Sequence, residues 1–223
     1  MKDKKKGHSL ILMTALFATG LSGIVAEYVL ATLATYFLGD SVFQWTIVLS
    51  LMLFAMGLGS RFSQSFEKNL LETFILIELV LSILISLCAL ITYSLMPYIT
   101  SLWLVMYLMA VIIGLLIGME IPLVTRINQD YKPLRTNISG VMEKDYYGSL
   151  FGGLFFAFIG IRYLGLTYTP FVVGGVNFFV AMLLFYYLRK IIIIEKKGRL
   201  QFGFALTGAI LAIGLYFAEP IVL

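Results

Sequence analysis

Four carboxylates in this 223-residue sequence stand where carboxylates are costly. Glu27, Glu78 and Glu120 are embedded in long apolar runs, and Asp145 stands at the edge of a fourth. An acidic side chain at the middle of a bilayer costs at least about 2.5–3.5 kcal/mol on insertion scales, so each such group calls for compensation. Tyr28 follows Glu27, Tyr146 and Tyr147 follow Asp145, and Asn177 lies near the middle of another apolar run. Carboxylates, an amide and tyrosine rings together suit a ligand carrying several ammonium groups, held by ion pairing and cation–π contact. Plainer roles compete with that reading. Asp145 and Glu72 lie close enough to an interface to act as helix caps or snorkelling charges, and Glu78 can serve as a protonated acid bonded between helices.

The most distinctive local sequence is Gly114-Leu-Leu-Ile-Gly118-Met-Glu120-Ile-Pro122-Leu-Val-Thr-Arg126. Pro122 has no backbone N–H, and its ring opposes the carbonyl of Gly118. The sequence therefore predicts a kink or an opened turn at Gly118 and Pro122 beside Glu120. Freed carbonyls next to a carboxylate are how broken membrane helices build cation sites.

Other chemistries lack their residues. Cys88 is the only cysteine and His8 the only histidine, so a disulfide, a zinc or iron–sulfur centre, and Ser/His or Cys/His catalysis have no partners within one copy. No glycine precedes a Lys-Ser/Thr pair as a phosphate loop requires. No catalytic residue, metal site or cofactor is expected. The net charge of +4 is topological and gives no reason to expect nucleic acid as a partner.

These residues are carried by seven apolar stretches long enough to cross a hydrocarbon core about 30 Å thick, which takes roughly 20 helical residues. They lie near 9–38, 41–60, 71–93, 101–127, 146–164, 168–188 and 202–222. Continuous runs rather than alternating ten-residue ones select helices over a barrel. The expected fold is all-α, a polytopic bundle of seven transmembrane helices forming a single domain over 1–223. Every lysine and arginine except Arg162 falls before the first stretch or between the second and third, fourth and fifth, and sixth and seventh. The positive-inside rule then makes the N-terminus cytoplasmic and leaves Leu223 outside. Asn128–Lys144 reads as a cytoplasmic loop with a short surface helix, and Thr167–Pro170 as the opening of the sixth stretch. Gly114/Gly118 and Gly148/Gly152 are G-x-x-x-G pairs whose default role is close helix packing.

Gly20-Leu-Ser-Gly-Ile-Val-Ala-Glu27-Tyr28, Tyr36-Phe-Leu-Gly39-Asp40-Ser41, Ala55-Met56-Gly57-Leu58-Gly59-Ser60, Gly118-Met-Glu120-Ile-Pro122-Leu-Val-Thr-Arg126 and Asp145-Tyr-Tyr-Gly148-Ser-Leu-Phe-Gly152 resemble the membrane portion of integral-membrane spermidine synthases, the polyamine aminopropyltransferases. The resemblance covers most of the chain in the family's order. It implies a bacterial inner-membrane protein and a soluble synthase domain, following the bundle, that transfers an aminopropyl group from decarboxylated S-adenosylmethionine to putrescine. The glycine-rich turn and paired aspartates of that domain are not in this sequence, so no activity is expected from this chain alone. A synthase domain that uses a cytosolic cofactor conflicts with an odd number of crossings, which places Leu223 outside.

The leading expectation is a bundle that binds a polyamine or related organic cation through Glu27, Glu120, Glu78, Asp145, Tyr28 and Asn177, and transports or delivers it. Its expected partners are the lipid bilayer, that cation, and a soluble synthase domain or subunit. The alternatives are a passive anchor for a catalytic domain or partner, or a carrier of an unrelated solute.

Overall fold

The computed structural model describes residues 2–129, 131–189, 192 and 194–222, with side chains at 7–129, 131–189, 192 and 197–218. Lys190, and the side chains of Lys2, Lys4, Lys5, Lys6 and Lys196 used in the charge count, lie outside that description. The described residues are helical apart from the short connections, with no strand among them. In chain order they form α1 (Lys2–Leu38), α2 (Ser41–Phe62), a 3-10 turn (Ser63–Ser65), α3 (Leu70–Leu95), α4 (Leu102–Asn128), α5 (Leu134–Phe155), a π-helical stretch (Phe156–Leu164), α6 (Gly165–Leu188) and α7 (Ile194–Val222).

The breaks follow local chemistry. Gly39 and Asp40 both take positive φ, and the Asp40 carboxylate accepts the Phe43 N–H at 3.2 Å to start α2, an N-cap that satisfies one orphan donor. Asn69, with φ 58°, opens α3. Pro133 precedes α5, in keeping with proline's preference for helix starts. No breaker follows until Gly165, so Asn128–Lys144 is not the expected loop. Helix already begins at Leu134, and Asp145 lies eleven residues inside α5 instead of opening it. Gly140 alone does not stop a helix, since its cost relative to alanine is about 1 kcal/mol.

Six helical runs are long and apolar enough to cross a membrane, the longest being the unbroken 55-residue run Leu134–Leu188. That run folds back on itself. Gly165 has φ +66°, and a Cβ on Gly160 would stand 3.2 Å from the Thr169 methyl, although nine helical residues would separate them by about 13 Å. Its two legs are 134–164 and 165–188. The reversal therefore comes before Thr167–Pro170, and Pro170 lies inside α6 instead of at its first turn.

Glycines set the tightest packing. Gly148 lies on the Phe17 backbone and Gly152 on that of Leu21, so α1 and α5 run in the same direction. Gly114 lies on Met52 and Ala55, and Gly118 on Met56, which makes α2 and α4 a second same-direction pair. Gly203 meets Leu79 and Gly214 meets Leu87, so α7 runs with α3. Phe185 and Phe178 both contact Phe204, while Phe171 reaches Gly214, which sets α6 against α7 and hence against α3. The core centres on α3, most of whose apolar residues are buried, whereas α7 lies at the periphery with most of its residues exposed or half-buried. Large apolar side chains such as Phe54, Leu58, Trp103, Phe158, Phe179 and Phe217 face outward, far more apolar surface than a water-facing monomer exposes.

Candidate functional site

Between the α1/α5 pair and the α2/α4 pair lies a hollow of about 390 Å³. Gly20, Gly23, Ile24 and Glu27 of α1 form one wall, and Asp145, Tyr146 and Ser149 of α5 continue it. Leu53, Met56 and Ser60 of α2, with Ile117, Gly118, Ile121 and Pro122 of α4, close the other. The glycines admit this geometry: a Cβ on Gly20 would come within 2.5 Å of the Asp145 carbonyl and 2.8 Å of its Oδ1. The Ser149 hydroxyl donates to the Gly20 carbonyl at 3.2 Å, tying α5 to α1 at the same level.

Glu27 and Asp145 thus open on one space from different helices. Glu27 is 7% exposed, and no described hydrogen bond or ion pair reaches either carboxylate. A carboxylate left this way in an apolar wall is an unfilled demand for a cation or for donors. Pro122 and Gly118 also line the hollow. The helix stays continuous from Leu102 to Asn128 across Pro122, so the turn does not open as the proline predicted. What proline chemistry leaves is the Gly118 carbonyl without its usual donor four residues on.

The other residues singled out in the sequence stand elsewhere. Glu120 is 2% exposed and lies behind the hollow, within electrostatic range of Asp145 on one side and Glu78 on the other, with the Thr19 hydroxyl in hydrogen-bond reach. Glu78 is fully buried and not part of the hollow's wall. Tyr28 packs against Trp45 and Phe156, with ring centroids 5.4 and 5.6 Å away, and does not line the hollow. Asn177 is fully buried on α6, away from it.

Tyr146, named with Asp145 in the sequence, does line the hollow, whereas Ser60 and Ser149 were not singled out as ligands. Ser149 follows Asp145 by four positions, one helical turn, and that spacing was a usable signal. Ser60 and Pro122 also border a second depression, of about 340 Å³, lined by Ser63, Gln64, Thr125 and Arg126, which continues the hollow toward the α2–α3 connection. A larger, shallower depression of about 660 Å³ beside Arg61 and Gln64 has no acidic residue in its wall.

The chain is 45% identical over 177 residues to polyamine aminopropyltransferase 2 of Aquifex aeolicus (strain VF5), an alignment covering 79% of this chain and 36% of that protein. It is 31% identical over 222 residues to the polyamine aminopropyltransferase of Oceanobacillus iheyensis, with 98% of this chain and 43% of that protein aligned. It is 30% identical over 210 residues to polyamine aminopropyltransferase 1 of Streptomyces coelicolor, with 93% of this chain and 39% of the relative aligned. The chain thus spans about two fifths of the length of these curated relatives, and the similarities support that family. No family model matches the sequence, and no solved structure matches it.

Proposed function

We propose that this chain is the membrane-embedded helical bundle of a polyamine aminopropyltransferase relative, and that the hollow between its two glycine-packed helix pairs binds a polyamine or related organic cation. The observation that carries the proposal is the pairing of Glu27 and Asp145, two unpartnered carboxylates on separate helices that open on one apolar-walled space. Two separated negative groups match a chain with ammonium groups at both ends, and the apolar walls match the methylenes between them. The volume falls within the range of about 300–1,000 Å³ usual for small-molecule sites. Glu120 sits behind Asp145, within electrostatic range of it.

Seven crossings follow in this reading from the reversal at Gly165, which divides the longest helical run into two legs. The shared direction of α1 with α5 and of α3 with α7 supports that alternation. The lysines and arginines flanking alternate connections put the N-terminus and the α2–α3 connection in the cytoplasm. The hollow then continues toward the cytoplasmic side past Ser60, Gln64 and Arg126, the direction in which a bound cation is delivered.

Calorimetric titration of the purified protein with putrescine and spermidine tests the site. Glu27→Gln and Asp145→Asn are each expected to weaken binding by roughly 2 kcal/mol, about thirtyfold. Unchanged affinity in both variants would discard the site. Absence of binding by the wild type leaves the passive anchor as the function of the bundle.

A further inference from the structure

Nine buried side-chain atoms lack a hydrogen-bond partner among the described residues, and six of them belong to four residues on α3 and α6. They are both carboxylate oxygens of Glu78, the hydroxyls of Ser82 and Ser86, and the amide oxygen and nitrogen of Asn177. Glu78, Ser82 and Ser86 are spaced four apart and so form one stripe of α3. A Cβ on Gly174 would strike the Ser86 hydroxyl and the Ser82 carbonyl, so the stripe faces α6. Since α3 and α6 run in opposite directions, Asn177, three residues beyond Gly174, lies one turn back along α3, at the level of Ser82 and Glu78. A seventh orphan, Glu120 Oε1, belongs to the carboxylate that Glu78 senses across the α3–α4 contact.

The two serines, like Ser9, depart from the common pattern of hydroxyls in these helices. Thr19, Ser22, Thr32, Thr92, Thr125 and Thr169 all donate to the carbonyl three or four residues back along their own helix, the usual refuge of a hydroxyl in an apolar helix. Ser82 and Ser86 do not. The Ser82 oxygen lies one turn from Glu78 on α3 and at the level of the Asn177 amide on α6, a fully buried set of hard oxygen donors, while Ser86 continues the stripe a further turn away. No described ion pair reaches that set. Buried polar groups are nearly always satisfied, and the orphans of Glu78, Ser82 and Asn177, within a turn of one another on two facing helices, call for an occupant.

We propose that Glu78, Ser82 and Asn177 form a second site, distinct from the hollow, that binds a sodium ion. Carboxylate, hydroxyl and amide oxygens are the donors a hard cation takes, and the lack of thiolate or imidazole argues against a transition metal. A single carboxylate among neutral oxygens balances one positive charge. The occupant must also be small, because these residues line none of the hollows described above.

The test uses the full chain in detergent, unfolded thermally as sodium chloride replaces choline chloride at constant ionic strength. A ligand that binds only the folded state raises the midpoint in a saturable way. The wild type is expected to show that rise with sodium, and Glu78→Gln and Ser82→Ala to need roughly tenfold more sodium for the same shift. Ser82→Ala removes one oxygen and keeps the helix, so it remains informative if Glu78→Gln does not fold. No sodium-dependent rise in the wild type, or the same sodium dependence in Ser82→Ala, would overturn the proposal. Putrescine titration of the same samples reports on the hollow separately, so failure of one site is distinguishable from failure of the other.

Discussion

Arg126 ties helix ends together through hydrogen bonds. Its guanidinium donates to the Phe66 carbonyl at 2.8 Å and the Ser63 carbonyl at 2.6 Å, closing the end of α2 and its 3-10 turn from the end of α4. A lysine cannot reproduce that fork, so Arg126→Lys is expected to lower stability by about 1–2 kcal/mol, read as a lower unfolding midpoint. Asn137 does comparable work across the next connection. It donates to the Thr125 carbonyl at 2.7 Å and accepts from Asn128 at 2.6 Å, with both asparagines fully buried. Asn137→Ala leaves the Asn128 amide without its acceptor and is expected to cost about 1–3 kcal/mol; an unchanged midpoint would contradict this pairing. The structural role of Asn137 was not legible in the sequence, because its partners lie on another helix and hydropathy does not register them. Glu27 and Asp145 were visible as carboxylates in apolar surroundings. Their separation from Glu78 and Asn177 was not visible, since the side of the bundle each helix presents to its neighbours is decided by packing.

At the level of the helix, glycine positions differ sharply in what they tolerate. A Cβ on Gly152 would press on the Leu21 carbonyl and the Ile24 side chain, so Gly152→Val must force α1 and α5 apart, at a cost of at least about 2–3 kcal/mol. Gly57 faces open space in the same kind of helix, and Gly57→Ala is expected to raise stability by up to about 1 kcal/mol. Parallel unfolding curves for the two variants check the contrast; equal effects would mean that close approach does not hold the α1/α5 pair. The boundaries of α2, α3 and α4 were legible to within two residues of the apolar stretches at 41–60, 71–93 and 101–127, because Gly39-Asp40, Asn69 and Met96-Pro97 interrupt the pattern. The start of α5 was not, since the polar segment from Leu134 to Lys144 lacks an apolar signal yet contains nothing that stops a helix. The continuity of α4 across Pro122 was also missed. A single absent hydrogen bond is outweighed there by packing of Gly118 against Met56.

For the molecule as a whole, the proposed orientation has a direct check. In a Cys88→Ala background, Tyr98→Cys in the exposed α3–α4 turn is expected to react with an impermeant maleimide in intact cells, and Lys68→Cys only after permeabilisation. The opposite labelling would invert the bundle and with it the direction of delivery. Cys88 itself is buried and gives no competing signal once replaced.

The pairing of α1 with α5 also bears on how the protein is made. Gly20 and Ser149, joined by a hydrogen bond, are 129 residues apart, and α2 likewise meets its closest neighbour only in α4. During synthesis the first two helices leave the ribosome long before the surfaces they fit exist. In the proposed membrane arrangement they wait in the bilayer with their glycine faces against lipid tails, and the two carboxylates meet only after α5 arrives. Assembly of the proposed cation site is therefore a late event in the birth of the chain, and a ribosome stalled before Asp145 leaves behind the early helices but no place for a guest.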